Sequence, residues 1–302
     1  MGWRLKIPVV FLIFNRPDTT ERVLSEISRA RPPKLLVVAD GPREGRPGEA
    51  ERCAAARAVI RRVDWDCEVV TNYASENMGC RRRVSSGLDW AFDRVEEAIL
   101  LEDDCLPHPS FFPYCEELLA RYRNDDRIMM VSGMNYFLDR MNIAESYFFA
   151  RYCAVWGWAT WARAWKKYDT FTREWGKLRE GDVLKAYFAK KGMRRYLSRM
   201  FDEAYYERLD TWAFPWMAAC LLNNGLSVIP RVNLVSNIGI VGTHTSLDQS
   251  NLNLPVFEID PSNFRHPHSI IPNFRYEEML FEQILKEGVV KRVKNFVVSN
   301  LF

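Results

Sequence analysis

An α/β fold on a mostly parallel, helix-flanked sheet is predicted by three features of the sequence. Short apolar runs recur, a helix-compatible segment follows each, and each run ends in a polar or turn-forming cluster. Residues 7–14 form the first run, continuously apolar as a strand covered on both faces requires. Asn15-Arg16-Pro17-Asp18 breaks it, and Asp18 or Thr19 suits the cap of a helix running to about residue 31. Residues 35–39 are a second strand, ending at the turn signal Asp40-Gly41-Pro42. A polar loop leads to a helix over 49–62, a third strand over 68–71 and a helix over 81–95. The fourth strand, 98–101, ends in Glu102-Asp103-Asp104. In sheets of this kind ligands bind at the carboxyl ends of the strands, where Asn15-Arg16, Asp40-Gly41 and the acidic triplet all fall.

The second half reads differently. A helix is expected over 110–123, strands over 128–132 and 147–153, helices over 182–208 and 211–223, and a strand over 226–229. No repeat or low-complexity linker separates the halves, so residues 1–275 read as one domain, followed by a C-terminal helix and basic tail over 276–302. That tail mixes Lys291, Arg292 and Lys294 with apolar residues, a pattern shared by a helix docked on a core and one lying on an anionic membrane surface.

Composition narrows the class of function. At 302 residues with 48% hydrophobic and 27% charged content, the chain can bury a large core and is neither disordered nor fibrous. A formal charge of +3 is too small to imply nucleic acid. The seven Cys are odd in number and form no CxxC pair, which fits reduced thiols in the cytoplasm. The apolar run near the N-terminus is too short to span a bilayer and lacks a small-residue cleavage site, so it reads as a buried strand.

The sharpest chemical signal is the triplet Glu102-Asp103-Asp104. Three carboxylates at a strand end repel one another, a local cost that a cation can offset. Mg²⁺ or Mn²⁺ bridging these oxygens and a diphosphate would do so, whereas a solvated acidic turn gives the same pattern. Arg16 can meet a phosphate, or simply enter a helix; Asp40 can accept from a base or ribose, or simply form a turn. No GxGxxG follows the first strand and no GxxxxGK[ST] loop occurs, which disfavours a dinucleotide dehydrogenase and a P-loop enzyme.

Taken in order, several segments carry a resemblance. They are FNRPDTT at 14–20, VVADGPR at 37–43, ENMGCRRR at 76–83 and the run from EDDCLPHPS at 102 to MVSGMN at 135. Downstream come VWGWATWARAWKKYD at 155–169, LDTWAFPW at 209–216 and IPRVNLVSNIGIVGTHT at 229–245. Together they resemble GT-A glycosyltransferases related to N-acetylglucosaminyltransferase I, and bacterial nucleotide-diphospho-sugar transferases sharing those signatures. The resemblance implies a GT-A sheet with a nucleotide half over about 1–105 and an acceptor half over about 106–275. It implies a hexosyl- or N-acetylhexosaminyl-transferase with a nucleotide-sugar donor, UDP-linked, and a glycan or lipid-linked glycan acceptor. Mn²⁺ or Mg²⁺ would be bound directly by Asp104, with Glu102 and Asp103 by the ribose and the metal's water shell. Asn15, Arg16, Asp40 and Arg81 would contact the nucleotide, and Trp156, Gly157, Trp158 and Trp212 would shape the sugar and acceptor pocket. His244, in a small-residue loop, is a further metal ligand, a phosphate contact or a solvated side chain.

Asp210 matches the place of the catalytic base in inverting members, although LDTW stands where the animal enzyme has WDDW. Chemistry points the same way, since an inverting transfer needs one carboxylate opposite the metal to take the acceptor's proton. Asp210 is also a good N-cap for the helix that follows it. Two rivals remain at this level. A sugar-nucleotide pyrophosphorylase would show a Gly-rich basic loop after the first strand, which Asn15-Arg16-Pro17 is not. A non-catalytic carbohydrate-binding scaffold would keep the aromatics without turnover.

Overall fold

The computed structural model describes residues 3–138, 140–239 and 253–285. Its first hundred residues form β1 (Val9–Ile13), α1 (Pro17–Ala30), β2 (Lys34–Ala39), α2 (Glu49–Val59), β3 (Glu68–Tyr73), α3 (Cys80–Phe92) and β4 (Glu97–Glu102). The four strands are parallel neighbours in the order β3-β2-β1-β4. Every residue of β1 is buried, which explains the unbroken apolar run, while β3 at the sheet edge is largely exposed. Pro17 opens α1, where its missing N–H costs no helical bond and its fixed φ favours helix entry.

Beyond β4 the chain gives β5 (Cys105–Pro107), α4 (Phe111–Tyr122), β6 (Ile128–Ser132), β7 (Tyr147–Ala150), β8 (Trp158–Trp161), α5 (Ala162–Trp165), α6 (Arg173–Leu178), α7 (Lys191–Tyr205), α8 (Ala213–Leu222), β9 (Leu226–Pro230), β10 (Val235–Asn237) and α9 (Phe274–Leu280). One sheet takes strands from both halves, in the order β3-β2-β1-β4-β8-β6-β9-β7. The expected α/β class with a mostly parallel sheet holds, and β8 lies antiparallel between β4 and β6. β5 pairs with β10 in a separate two-stranded sheet beside the end of β4.

Side-chain alternation divides the core between the sheet's two faces. Val10, Leu12, Leu36, Val38 and Leu100 pack with Val84 and Leu88 of α3, Leu197 and Phe201 of α7, and Trp216 of α8. Val9, Phe11, Ile13, Leu35, Val37 and Leu101 face the other way, onto Val23 and Ile27 of α1 and Leu118 of α4.

Two expectations change. The helix expected over 182–208 is a 3₁₀ turn, Val183–Ala186, followed by α7. Leu184 and Phe188 are buried, then Met193 and Leu197; the five-residue step from 188 to 193 breaks helical spacing. The Trp-rich segment supplies β8, a strand that its aromatic crowding did not signal. All seven cysteines are free. No helix among the described residues is long and apolar enough to cross a membrane. The tail over 286–302 lies outside the described residues.

Candidate functional site

The ends of β1, β2 and β4 meet on one rim. Arg16 caps α1 with its backbone, its carbonyl accepting from the Thr20 hydroxyl at 2.7 Å, and this leaves the guanidinium to reach sideways to the acidic triplet. It donates to Asp103 Oδ1 at 2.5 Å and pairs with Asp104 Oδ2 at 2.8 Å. The second Asp103 oxygen accepts the Phe14 N–H at 3.0 Å. Asp103 is 2% exposed. The triplet's mutual repulsion is therefore offset from within the chain by a cation that the sequence alone placed toward a phosphate. Burial, helped by Asp104, pushes the Glu102 carboxyl well above the usual carboxylate range. Burial also raises Asp103, with Arg16 opposing it. Burial works against the charge on Arg16, but Asp103 and Asp104 more than reverse this and hold it fully charged.

At the end of β2, Asp40 is buried and its carboxylate organises the neighbouring loop. Oδ1 accepts the N–H groups of Gly41 and Met78 at 2.9 Å, and Oδ2 accepts from Asn77 Nδ2 at 3.0 Å. Burial raises this carboxyl and the backbone donors hold it partly down. Asn15 donates to Glu49 Oε1 at 2.9 Å, and Glu49, 1% exposed, also takes the Arg43 guanidinium at 2.6 Å. Asn15 thus buttresses an ion pair on the rim. Glu49 and Asn77 were not singled out from sequence, because nothing in a Glu opening a helix or an Asn in a loop marks such partners.

A long-range side-chain link joins the start of α3 to the segment before α8. Both oxygens of Asp210 accept first-turn N–H groups of α3, from Cys80 and Arg81, each at 2.8 Å. The guanidinium of Arg81 donates back to the carbonyls on either side, Leu209 at 2.5 Å and Thr211 at 3.2 Å. Asp210 thus caps α3 from 130 residues away, and the helix after it, α8, begins from Trp212 without that side chain. Arg81, expected at the nucleotide, is 3% exposed and committed to this loop, with Nη1 left without a hydrogen-bond partner among the described residues. Gly79 makes the approach possible: its φ is +79°, and a Cβ there would lie 2.9 Å from Asp210 Oδ2. Cys80 feels the charges of both Glu102 and Asp210, which sets the triplet and Asp210 around one locus.

The aromatic expectations need correcting in part. Trp158 and Trp212, expected to line a sugar pocket, are 1% and 3% exposed and stack on each other at 5.4 Å. Trp216 and Trp165 complete that packing, so these rings back the wall and present no free face. Trp156 is partly exposed beside Tyr136. Gly157 is buried with φ +61°, and its carbonyl accepts the Gly133 N–H at 2.7 Å.

Among the described residues, no group of three or more His, Cys, Asp or Glu side chains could hold a metal. Asp104 gives Oδ2 to Arg16, while Oδ1 meets only the Cys105 thiol at 3.6 Å. Asp104 therefore offers one nearly free carboxylate oxygen, and the Glu102 carboxylate has no hydrogen-bond or ion-pair partner among the described residues. That suits a hard cation taking most of its ligands from phosphate and water, as Mg²⁺ commonly does. The Ile238 N–H donates to the Asp104 carbonyl at 2.8 Å, and a Cβ on Gly239 would stand 2.6 Å from Asp104 Oδ2. His244 lies outside the described residues.

No protein-family model matches the chain, and no curated protein sequence matches it. Among solved structures, the chain is similar to the galactosyltransferase LgtC in complex with donor and acceptor sugar analogues. Identity is 12% over 70% of each chain, with a TM-score of 0.36.

Proposed function

We propose that this chain is a GT-A glycosyltransferase that moves a hexosyl or N-acetylhexosaminyl group from a UDP-sugar to an acceptor hydroxyl with inversion. The observation that carries the reading is the convergence on one rim of Arg16, Asp40 and Glu102-Asp103-Asp104, with Asp210 held by the neighbouring helix α3. Asp40 and its loop receive the base and ribose, and Arg16 faces the diphosphate. Asp104 would hold Mn²⁺ or Mg²⁺, which would supply positive charge for the leaving diphosphate. The acceptor oxygen attacks the anomeric carbon as the bond to the diphosphate oxygen breaks, and the acceptor's proton passes to Asp210.

Asp210 is exposed, and two N–H bonds fix its orientation while its outer lone pairs stay open. A base that cannot rotate away from its task loses little entropy at the reacting moment. The test is UDP affinity measured with and without Mn²⁺ in the wild type and in Asp104→Ala. Metal-enhanced binding that the variant loses supports the reading; equal affinities in all four conditions would remove Asp104 from the site.

A further inference from the structure

Away from the rim, α7 and the turn after α6 line an open cleft of about 640 Å³. Its chemistry is lopsided. Lys191, Arg195 and Arg199 recur every four residues along one exposed stripe of α7, and half-buried Arg194 and Ser198 line the side next to it. Like charges four residues apart on a helix repel, so the stripe costs local stability without returning packing. Asp202 and Glu203 line the same cleft but are already paired with its other arginines, Asp202 with Arg179 at 3.5 Å and Glu203 with Arg208 at 3.3 Å. Those two arginines in turn flank the Tyr206 ring, at 5.1 and 4.7 Å from its centroid. Lys191, Arg195 and Arg199 have no acidic partner among the described residues, and only Asp182 remains to oppose them.

We propose that this cleft is a binding site for a phosphate-bearing group, gripped by Lys191, Arg195 and Arg199 with Arg194 and the Ser198 hydroxyl beside them. Arginine forks and a lysine point charge match phosphate oxygens, and a concave wall raises the local potential over that of isolated surface charges. From Tyr206 and Arg208 on the cleft wall the chain runs directly into Leu209 and Asp210. A phosphate held there belongs to the acceptor or its carrier; that assignment rests on the transferase reading, whereas the anion site does not.

The test compares the wild type, the triple variant Lys191→Glu/Arg195→Glu/Arg199→Glu, and Arg16→Ala. Each is titrated with inorganic pyrophosphate, and with phosphatidylcholine vesicles with and without phosphatidylglycerol, at about 10 mM salt, where screening is weak. Thermal melts check that the exposed substitutions leave the fold intact. The expected result is an affinity for pyrophosphate or for the anionic vesicles that falls at least tenfold in the triple variant, persists in Arg16→Ala and weakens with salt. Pyrophosphate binding identifies a soluble phosphoanion as the source; binding only to anionic vesicles identifies a lipid headgroup. Neither probe binding the wild type, or the triple variant binding both as well as the wild type does, overturns the site. Pyrophosphate affinity lost in Arg16→Ala alone puts the anion on the rim, which overturns the cleft and spares the transferase reading. If the triple variant loses its anion while the wild type fails to bind UDP, the cleft stands and the transferase reading falls.

Discussion

Replacing Asp210 by Asn separates the cap that geometry gives this side chain from the base role proposed for it. As a cap, Asp210 accepts two N–H groups of α3 at 2.8 Å, and its charge faces the positive end of that helix. Full loss of such a cap costs about 0.5–2 kcal/mol, and Asn keeps one accepting oxygen, so about 1 kcal/mol of stability should go. As a base, Asp210 takes a proton that Asn cannot take, and turnover should fall by about 10²–10⁴-fold. On the barrier that range is about 2.7–5.5 kcal/mol, clearly more than the cap supplies. A domain stabilised by several kcal/mol stays almost wholly folded after losing one, so the cap alone cannot lower turnover a hundredfold. The assay is nucleoside diphosphate release at saturating donor and acceptor, with a denaturant melt on the same sample. Turnover within tenfold of wild type, at whatever stability, would show that Asp210 only holds α3 and that another group takes the proton.

Three further outcomes are expected. Asp40→Ala should weaken UDP by about 1–3 kcal/mol, because it removes a buried acceptor and frees the Asn77–Met78 loop that this acceptor fixes; an unchanged dissociation constant in calorimetry would contradict that. Gly79→Ala should cost about 1–3 kcal/mol in denaturant unfolding, because alanine resists φ +79° and its Cβ would press on Asp210; an unaltered midpoint would mean the loop relaxes freely. The Glu49 carboxyl is pulled down to about 2, first by the Arg43 hydrogen bond, from an ordinary value of 4.5. Its stabilisation is therefore complete above about pH 4.5 and lost as pH falls through 2. After screening at half-exposed Arg43 it amounts to about 1–3 kcal/mol. The stability gap between wild type and Glu49→Gln should close over that window, and a gap independent of pH would refute the pairing.

How much of this was legible in the sequence follows from what each feature depends on. Of the four parallel strands, β1, β2 and β4 announce themselves because both faces of the sheet are covered there, so Val9 to Ile13 has no polar alternation to confuse it. Their ends were legible too, since Asn15-Arg16-Pro17, Asp40-Gly41 and the acidic triplet stop apolar runs. β8 was hidden, because four residues with two Trp read equally as packing filler. Trp158 and Trp212 show a related blind spot: composition finds the rings, but only the packing of α8 against the sheet decides which side of the wall they occupy. The reciprocal hold between Asp210 and Arg81 spans some 130 residues, and no local pattern connects two such positions. The Arg16 pairing was half visible: a cation was expected at the triplet, while its being the chain's own arginine needed β1 to pair in parallel with β4, which sets the residue after one strand against the end of the other.

Whether the rim of β1, β2 and β4 activates a nucleotide sugar, as proposed, is decided by sugar release from a panel of UDP-, GDP- and dTDP-linked donors. With Mn²⁺ present, at least one donor should release its nucleoside diphosphate, chelation should suppress that release, and Asp104→Ala should abolish it while melting like the wild type. No release and no binding from any donor, with or without metal, would show that the rim is not a nucleotide-sugar site.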